Sequence, residues 1–158
     1  MVQSIATRPK QFTSILSWSQ EIASDRLIPF LSVHPDDPKA GEHVRQVHAE
    51  GFRGIKLHPY YQSFEMPEAR MAPIYEAAQD CGLLIFMHTG FDLAYPRDRR
   101  GAPSQTVEVL HAFPDLRLIT SHLGAWEDWD EVRRLLLGKP IYMETSFSVH
   151  VMGPEAAR

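Results

Sequence analysis

The stretch Leu83-Leu84-Ile85-Phe86-Met87-His88-Thr89-Gly90 decides how the rest of the chain is read. A short apolar run stops at a histidine, and a small hydroxyl residue and a glycine follow. The pattern recurs at Leu116–Gly124, where Leu-Arg-Leu-Ile-Thr-Ser runs into His122-Leu123-Gly124. It comes a third time at Gly54–Pro59, closed by Lys56 and His58. Near-continuous apolar runs mark parallel strands buried on both faces. Folds built from such strands gather their chemistry at the strands' carboxyl ends. Polar, metal-competent side chains at the ends of three strands therefore point to one shared site.

Outward from these strands the chain alternates. Val2–Ala6 and Leu27–Val33 read as strands before Gly54–Leu57, and Pro140–Thr145 as one after Leu116–Thr120. Helices are predicted over Pro9–Ser24, Gly41–Glu50, a segment that starts near Pro73 and ends at Cys81-Gly82, Ser104–Phe113 and Trp126–Leu137. Each rests on apolar residues at helical spacing or on its stop signals. A sixth helix is expected to begin at Pro154–Arg158. Phe91–Pro103 has no hydrophobic period and reads as a long loop. Successive strand ends fall 24 to 34 residues apart, the length that a strand, a crossover helix and a return require. The expected class is α/β, with a parallel sheet and right-handed crossovers. An open doubly wound sheet and an incomplete (β/α)₈ barrel both satisfy this order. No G-x-G-x-x-G or Walker A turn is present, and the spread of polar strand ends favours the barrel, a fold of about 250 residues when complete.

Composition narrows the function classes. The 158 residues are 44% apolar with a net charge of −4, which suits one domain over residues 1–158 and offers no basic field for nucleic acid. One cysteine, Cys81, excludes an internal disulfide and fits a reducing, cytoplasmic setting. The central apolar run, Leu83–Met87, is far too short to span a bilayer, and Met1–Lys10 has no signal-peptide pattern. A small-molecule substrate is the expected partner, with neither nucleic acid nor membrane.

His88 and His122 are the first candidates for chemistry, because neutral imidazoles from different strands commonly bind zinc and similar ions. Lys56 and His58 are two apart, so a strand points both to one face. A lysine buried there calls for an anion, such as a substrate carboxylate, or a carbonyl to polarise; a lysine that snorkels to solvent is the alternative. His58 is a candidate substrate contact, although it could simply end its strand before Pro59. Arg97, Arg99 and Arg100 share the long loop with Asp92 and Asp98; Arg97 is the candidate clamp for an acidic substrate. Glu144 and Ser146 end the last strand on one face, where either could orient a ligand or a histidine or form a satisfied polar cluster. His34-Pro35-Asp36-Asp37 reads as a turn. The chain contains no H-x-H, no H-E-x-x-H and no G-x-S-x-G, which argues against the common zinc-protease and serine-hydrolase types.

At this point the chain resembles the amidohydrolase-related (amidohydrolase 2) family of metal-dependent TIM barrels. The resemblance is carried by Ile5-Ala6-Thr7-Arg8-Pro9, Ser32-Val33-His34-Pro35-Asp36, Gly51-Phe52-Arg53-Gly54-Ile55-Lys56-Leu57-His58-Pro59, Met87-His88-Thr89-Gly90, Phe113-Pro114-Asp115-Leu116, Ser121-His122-Leu123-Gly124 and Tyr142-Met143-Glu144-Thr145-Ser146. An aspartate is more usual in the family where Glu144 stands. The resemblance implies that the strand ending in His88 is barrel strand 5 and the strand ending in His122 is strand 6. It makes His88 a metal ligand, and makes His122 either a second ligand or the group that positions and deprotonates the attacking water. The implied cofactor is a divalent metal, zinc first, and the implied reaction is hydrolysis of a small amide- or carboxylate-type substrate, or its decarboxylation or hydration. The family's strand 1 H-x-H and strand 8 aspartate have no counterpart here. The expectation is a barrel truncated to strands 2–7, inactive as it stands, with two unpaired edges that favour a homo-oligomer. A non-catalytic barrel fragment serving as a binding or assembly module, or an open sheet binding a small anion, are the other readings.

Overall fold

The computed structural model describes residues 1–152. The predicted helix at Pro154–Arg158 lies outside the described residues. Strands and helices alternate along the chain: β1 (Val2–Gln3), α1 (Phe12–Ile22), β2 (Pro29–Phe30), α2 (Ala40–Ala49), β3 (Gly54–Leu57), α3 (Ala72–Asp80), β4 (Leu84–Met87), α4 (Pro103–Ala112), β5 (Arg117–Thr120), α5 (Trp129–Leu135), β6 (Tyr142–Met143) and α6 (Val149–Met152).

All strand pairs are parallel. β1 pairs with β2, and β3, β4, β5 and β6 pair in that order. Leu31 joins the two groups: it bridges to Ile55, and Lys56 N–H donates to the Leu31 carbonyl at 2.6 Å. The spatial order thus follows the chain order. Right-handed crossovers between consecutive neighbours keep every helix on the same side of the sheet. A doubly wound sheet reverses its order at a switch point and carries helices on both faces, so the barrel-type arrangement holds.

Strand alternation divides the side chains between two environments. Ile55, Leu57, Ile85, Met87 and Leu118 point toward the helices and form one core with Leu16, Val44, Val47, Ile74, Ala78 and Val109. Lys56, Phe86 and His88 alternate with them and take the opposite, inner face, where Phe86 meets Phe30 edge-on at 6.5 Å.

β3 has the predicted bounds and α2 and α4 are shifted by a single residue, but several other elements are shorter than predicted, for local reasons. The helix expected over Trp126–Leu137 begins only at Trp129. Trp126 is drawn into a bridge with Gly90, and Glu127 adopts a left-handed φ of 55° that a helix cannot accommodate. The first helix opens with a 3₁₀ turn at Pro9–Gln11 and ends at Ile22, and a 3₁₀ turn at Ala69–Met71 precedes Pro73 in the first turn of α3. No described helix is long and apolar enough to cross a membrane.

Candidate metal centre

The carboxyl ends of β3 and β4 place His58 and His88 side by side. Their backbones follow from the ladder: His88 N–H donates to the Leu57 carbonyl at 3.0 Å. His58 N–H donates to Gln62 Oε1 at 2.8 Å. Gln62 is fully buried, and its Nε2 contacts the Ala6 and Val33 carbonyls at 2.9 and 3.0 Å. One amide side chain therefore ties the segments that follow β1 and β2 to the backbone of His58. The rings of His58 and His88 stack at 3.9 Å, and Tyr61 stacks on the other face of His58 at 4.0 Å.

Asp92, four residues after His88, completes a cluster. Its Oδ2 lies 3.6 Å from His58 Nε2 and 3.6 Å from His88 Nε2. One donor atom from each of the three residues lies within 4.8 Å of the others. A direct charge-assisted hydrogen bond would close to about 2.8 Å. Donors that share a cation at bonds of about 2.0–2.2 Å stand roughly 3.0–3.4 Å apart, close to the spacing found. His88 Nε2 and His58 Nδ1 are buried with no hydrogen-bond partner. Burial, followed by the Lys56 charge and the neighbouring His122, lowers His58 to about 3. Burial, then His58 and Lys56, lowers His88 to about 2. Both rings are neutral at ordinary pH, the form that ligates metals. Two imidazoles and a carboxylate thus fit a divalent cation.

Gly90 makes the sharp exit from β4 feasible. Its φ is +86°, and a Cβ there would sit 1.9 Å from the Trp126 nitrogen. Trp126 N–H donates to the Thr89 carbonyl at 3.1 Å, and Phe91 N–H donates to the Trp126 carbonyl at 3.1 Å. The chain segment carrying Asp92 is thereby pinned to the segment after β5. Tyr60, buried between them, contacts the Gly90 and Asp98 carbonyls with its hydroxyl at 2.9 Å each.

His122 stands beside this cluster but outside its donor set. Its ring meets His88 edge-on at 5.1 Å, and both line a pocket of about 340 Å³ with His58, Tyr61, Phe91, Asp92, Trp126 and Phe147. His122 and Leu123 are left-handed, with φ of 57° and 53°, a conformation that costs energy and collects at functional sites. Lys56 is buried on the inner face with Nζ 4.6 Å from the Phe86 ring centre. Burial lowers its pKa to about 7, against the pull of Glu144. It shares a second cavity with His88, His122, Glu144 and Ser146.

Arg97 is placed differently from a substrate clamp. Its guanidinium pairs with Glu127 at 2.5 Å and lies over the Phe91 ring at 4.1 Å, so it braces the loop from outside the pocket. Arg99 is likewise engaged by Asp128 and Glu131, and Arg100 by Asp98. Asp92 gave only a weak sign in the sequence, a carboxylate one helical turn after a strand-end histidine. Gln62 and Phe147 gave none.

A profile of the amidohydrolase family (amidohydrolase 2) matches residues 7–158, and the chain belongs to that family. The chain is similar to a dihydroorotase from Marinobacter nauticus, with 25% identity over 114 residues that take in 66% of this chain and 33% of that protein. Among solved structures it resembles an uncharacterized TIM-barrel protein from Bordetella bronchiseptica, with 21% identity and a TM-score of 0.61, covering 84% of this chain and 47% of that one. A manganese-bound 5-carboxyvanillate decarboxylase from Novosphingobium aromaticivorans matches at a TM-score of 0.58 and 15% identity, covering 93% and 54%. The chain spans about half the length of these solved structures and a third of the dihydroorotase.

Proposed function

We propose that this chain is the site-bearing part of a metal-dependent enzyme acting on a small carboxylate- or amide-type substrate, by hydrolysis or by decarboxylation or hydration. The carrying observation is the convergence of His58, His88 and Asp92, with His88 Nε2, 3.6 Å from Asp92 Oδ2, buried and without a hydrogen-bond partner. These three residues would hold a divalent cation, zinc or manganese. When bound, such a cation polarises a substrate oxygen and lowers the pKa of a nearby water.

The chain's own residues supply the rest. His122 accepts or returns a proton at the pocket edge. Lys56 receives a substrate carboxylate on the inner face, where burial strengthens the attraction. Tyr61, Phe91, Trp126 and Phe147 give the pocket aromatic walls, which suit a flat, unsaturated acid. That fits the decarboxylase relative and favours carboxylates over extended amides.

Calorimetric titration of the 158-residue chain with zinc and with manganese tests the metal assignment. One ion is expected to bind, and Asp92→Asn and His88→Ala should each weaken it by about 100-fold or more. Unchanged affinity in both variants overturns the assignment. Assay of the metal-loaded chain against aromatic carboxylates and cyclic amides tests the reaction class. Absence of turnover is expected of a chain inactive as it stands, whereas a metal-loaded chain that binds neither set overturns the substrate class.

A further inference from the structure

Glu144 and Ser146 line the inner cavity with His122 and Lys56, and the reading above gives them no part. We propose that they are positioning residues that fix the tautomer of His122, leaving its Nε2 bare. The use of that bare nitrogen in a reaction rests on the function proposed above; the tautomer itself does not.

His122 Nδ1 lies 2.9 Å from the Ser146 carbonyl oxygen. A carbonyl only accepts, so in the neutral ring Nδ1 carries the hydrogen and Nε2 keeps the lone pair. Ser146 Oγ lies 3.3 Å from the same Nδ1. This hydroxyl donates its own hydrogen to Glu144 Oε2 at 2.8 Å, so only its lone pairs can face the ring. Glu144 Oε1 accepts the Ser146 backbone N–H. A single carboxylate therefore grips Ser146 by hydroxyl and amide together, and that grip aims both acceptors at Nδ1.

The main chain of His122 is held separately. Leu123 N–H donates to the Glu144 carbonyl at 2.7 Å, and Trp129 Nε1 donates to the His122 carbonyl at 2.9 Å. With the backbone set, the contact at Nδ1 decides which nitrogen bears the proton. A carboxylate that merely capped the end of β6 would be indifferent to that choice, and this difference makes the proposal testable.

The experiment is long-range proton–nitrogen NMR of the metal-free chain with nitrogen-15 histidine, at about pH 8, above the ordinary histidine range. A His122→Gln sample identifies the resonance. The Nδ1–H form of His122 is expected in roughly tenfold excess or more, and Glu144→Gln should cut that excess about threefold or more. Ser146→Ala should also lower it, and Ser146→Thr, which keeps a hydroxyl, should retain it. Predominance of the Nε2–H form in the wild-type chain overturns the proposal. So does an unchanged ratio in a folded Glu144→Gln. Should that variant fail to fold, equal ratios in the wild-type, Ser146→Ala and Ser146→Thr chains overturn it instead. Manganese titration of the same samples separates the two ideas: lost metal binding with the tautomer intact defeats the proposed function and leaves this inference standing.

Discussion

Two buried, neutral imidazoles packed face to face make the chain sensitive to acid. In the unfolded chain His58 and His88 take up protons near their usual 6.5, whereas burial lowers them in the fold to about 3 and about 2. Below about pH 6.5 the unfolded state therefore binds more protons than the native one, and stability falls with falling pH. Each histidine adds a slope of about 1.4 kcal/mol per pH unit across that window. Urea unfolding of the metal-free chain between about pH 7 and 5 should show this loss, and His58→Gln should reduce the slope. Lys56 points the other way in function. Its buried ammonium costs stability, so Lys56→Met is expected to stabilise the fold by about 2 kcal/mol in urea while weakening carboxylate binding. At this scale His88, His122 and Lys56 were legible because each interrupts an apolar strand. Asp92 was not, because its loop has no period to say which side chains turn inward.

The loop between β4 and α4 shows how an element can be recognised while its purpose is misread. Its length and charge are visible in the sequence, where three arginines resemble a clamp for an acidic substrate. In the fold Arg97 and Arg99 face Glu127, Asp128 and Glu131. The pairing joins positions about thirty residues apart, beyond the reach of any local pattern. The turn at Gly90 is the loop's hinge to the sheet. Gly90→Ala places a methyl group against the Trp126 backbone at a left-handed φ. It should cost about 3 kcal/mol in denaturant unfolding and disturb Asp92 with it.

For the whole molecule, the alternation of strands and crossover helices was readable from the spacing of six apolar runs. The neighbour order was not, since an open sheet and a barrel share the same alternation; it took the pairing of β2 with β1 and the bridge to β3 through Leu31. Among the described residues, β1 and β6 each have a strand neighbour on one side only. Tyr142 on β6, with Phe147, Val149 and Val151 beyond it, is exposed. Such an edge recruits further strands. We expect sedimentation to show concentration-dependent association of the 158-residue chain, and Tyr142→Lys to reduce it; a monomer at all concentrations would refute this. The indole of Trp126 in the pocket wall has one more consequence. Manganese is paramagnetic and zinc is not, so the chain's own ultraviolet emission would dim beside one ion and persist beside the other. Emission from Trp126 would then report which of the two ions the proposed site takes up.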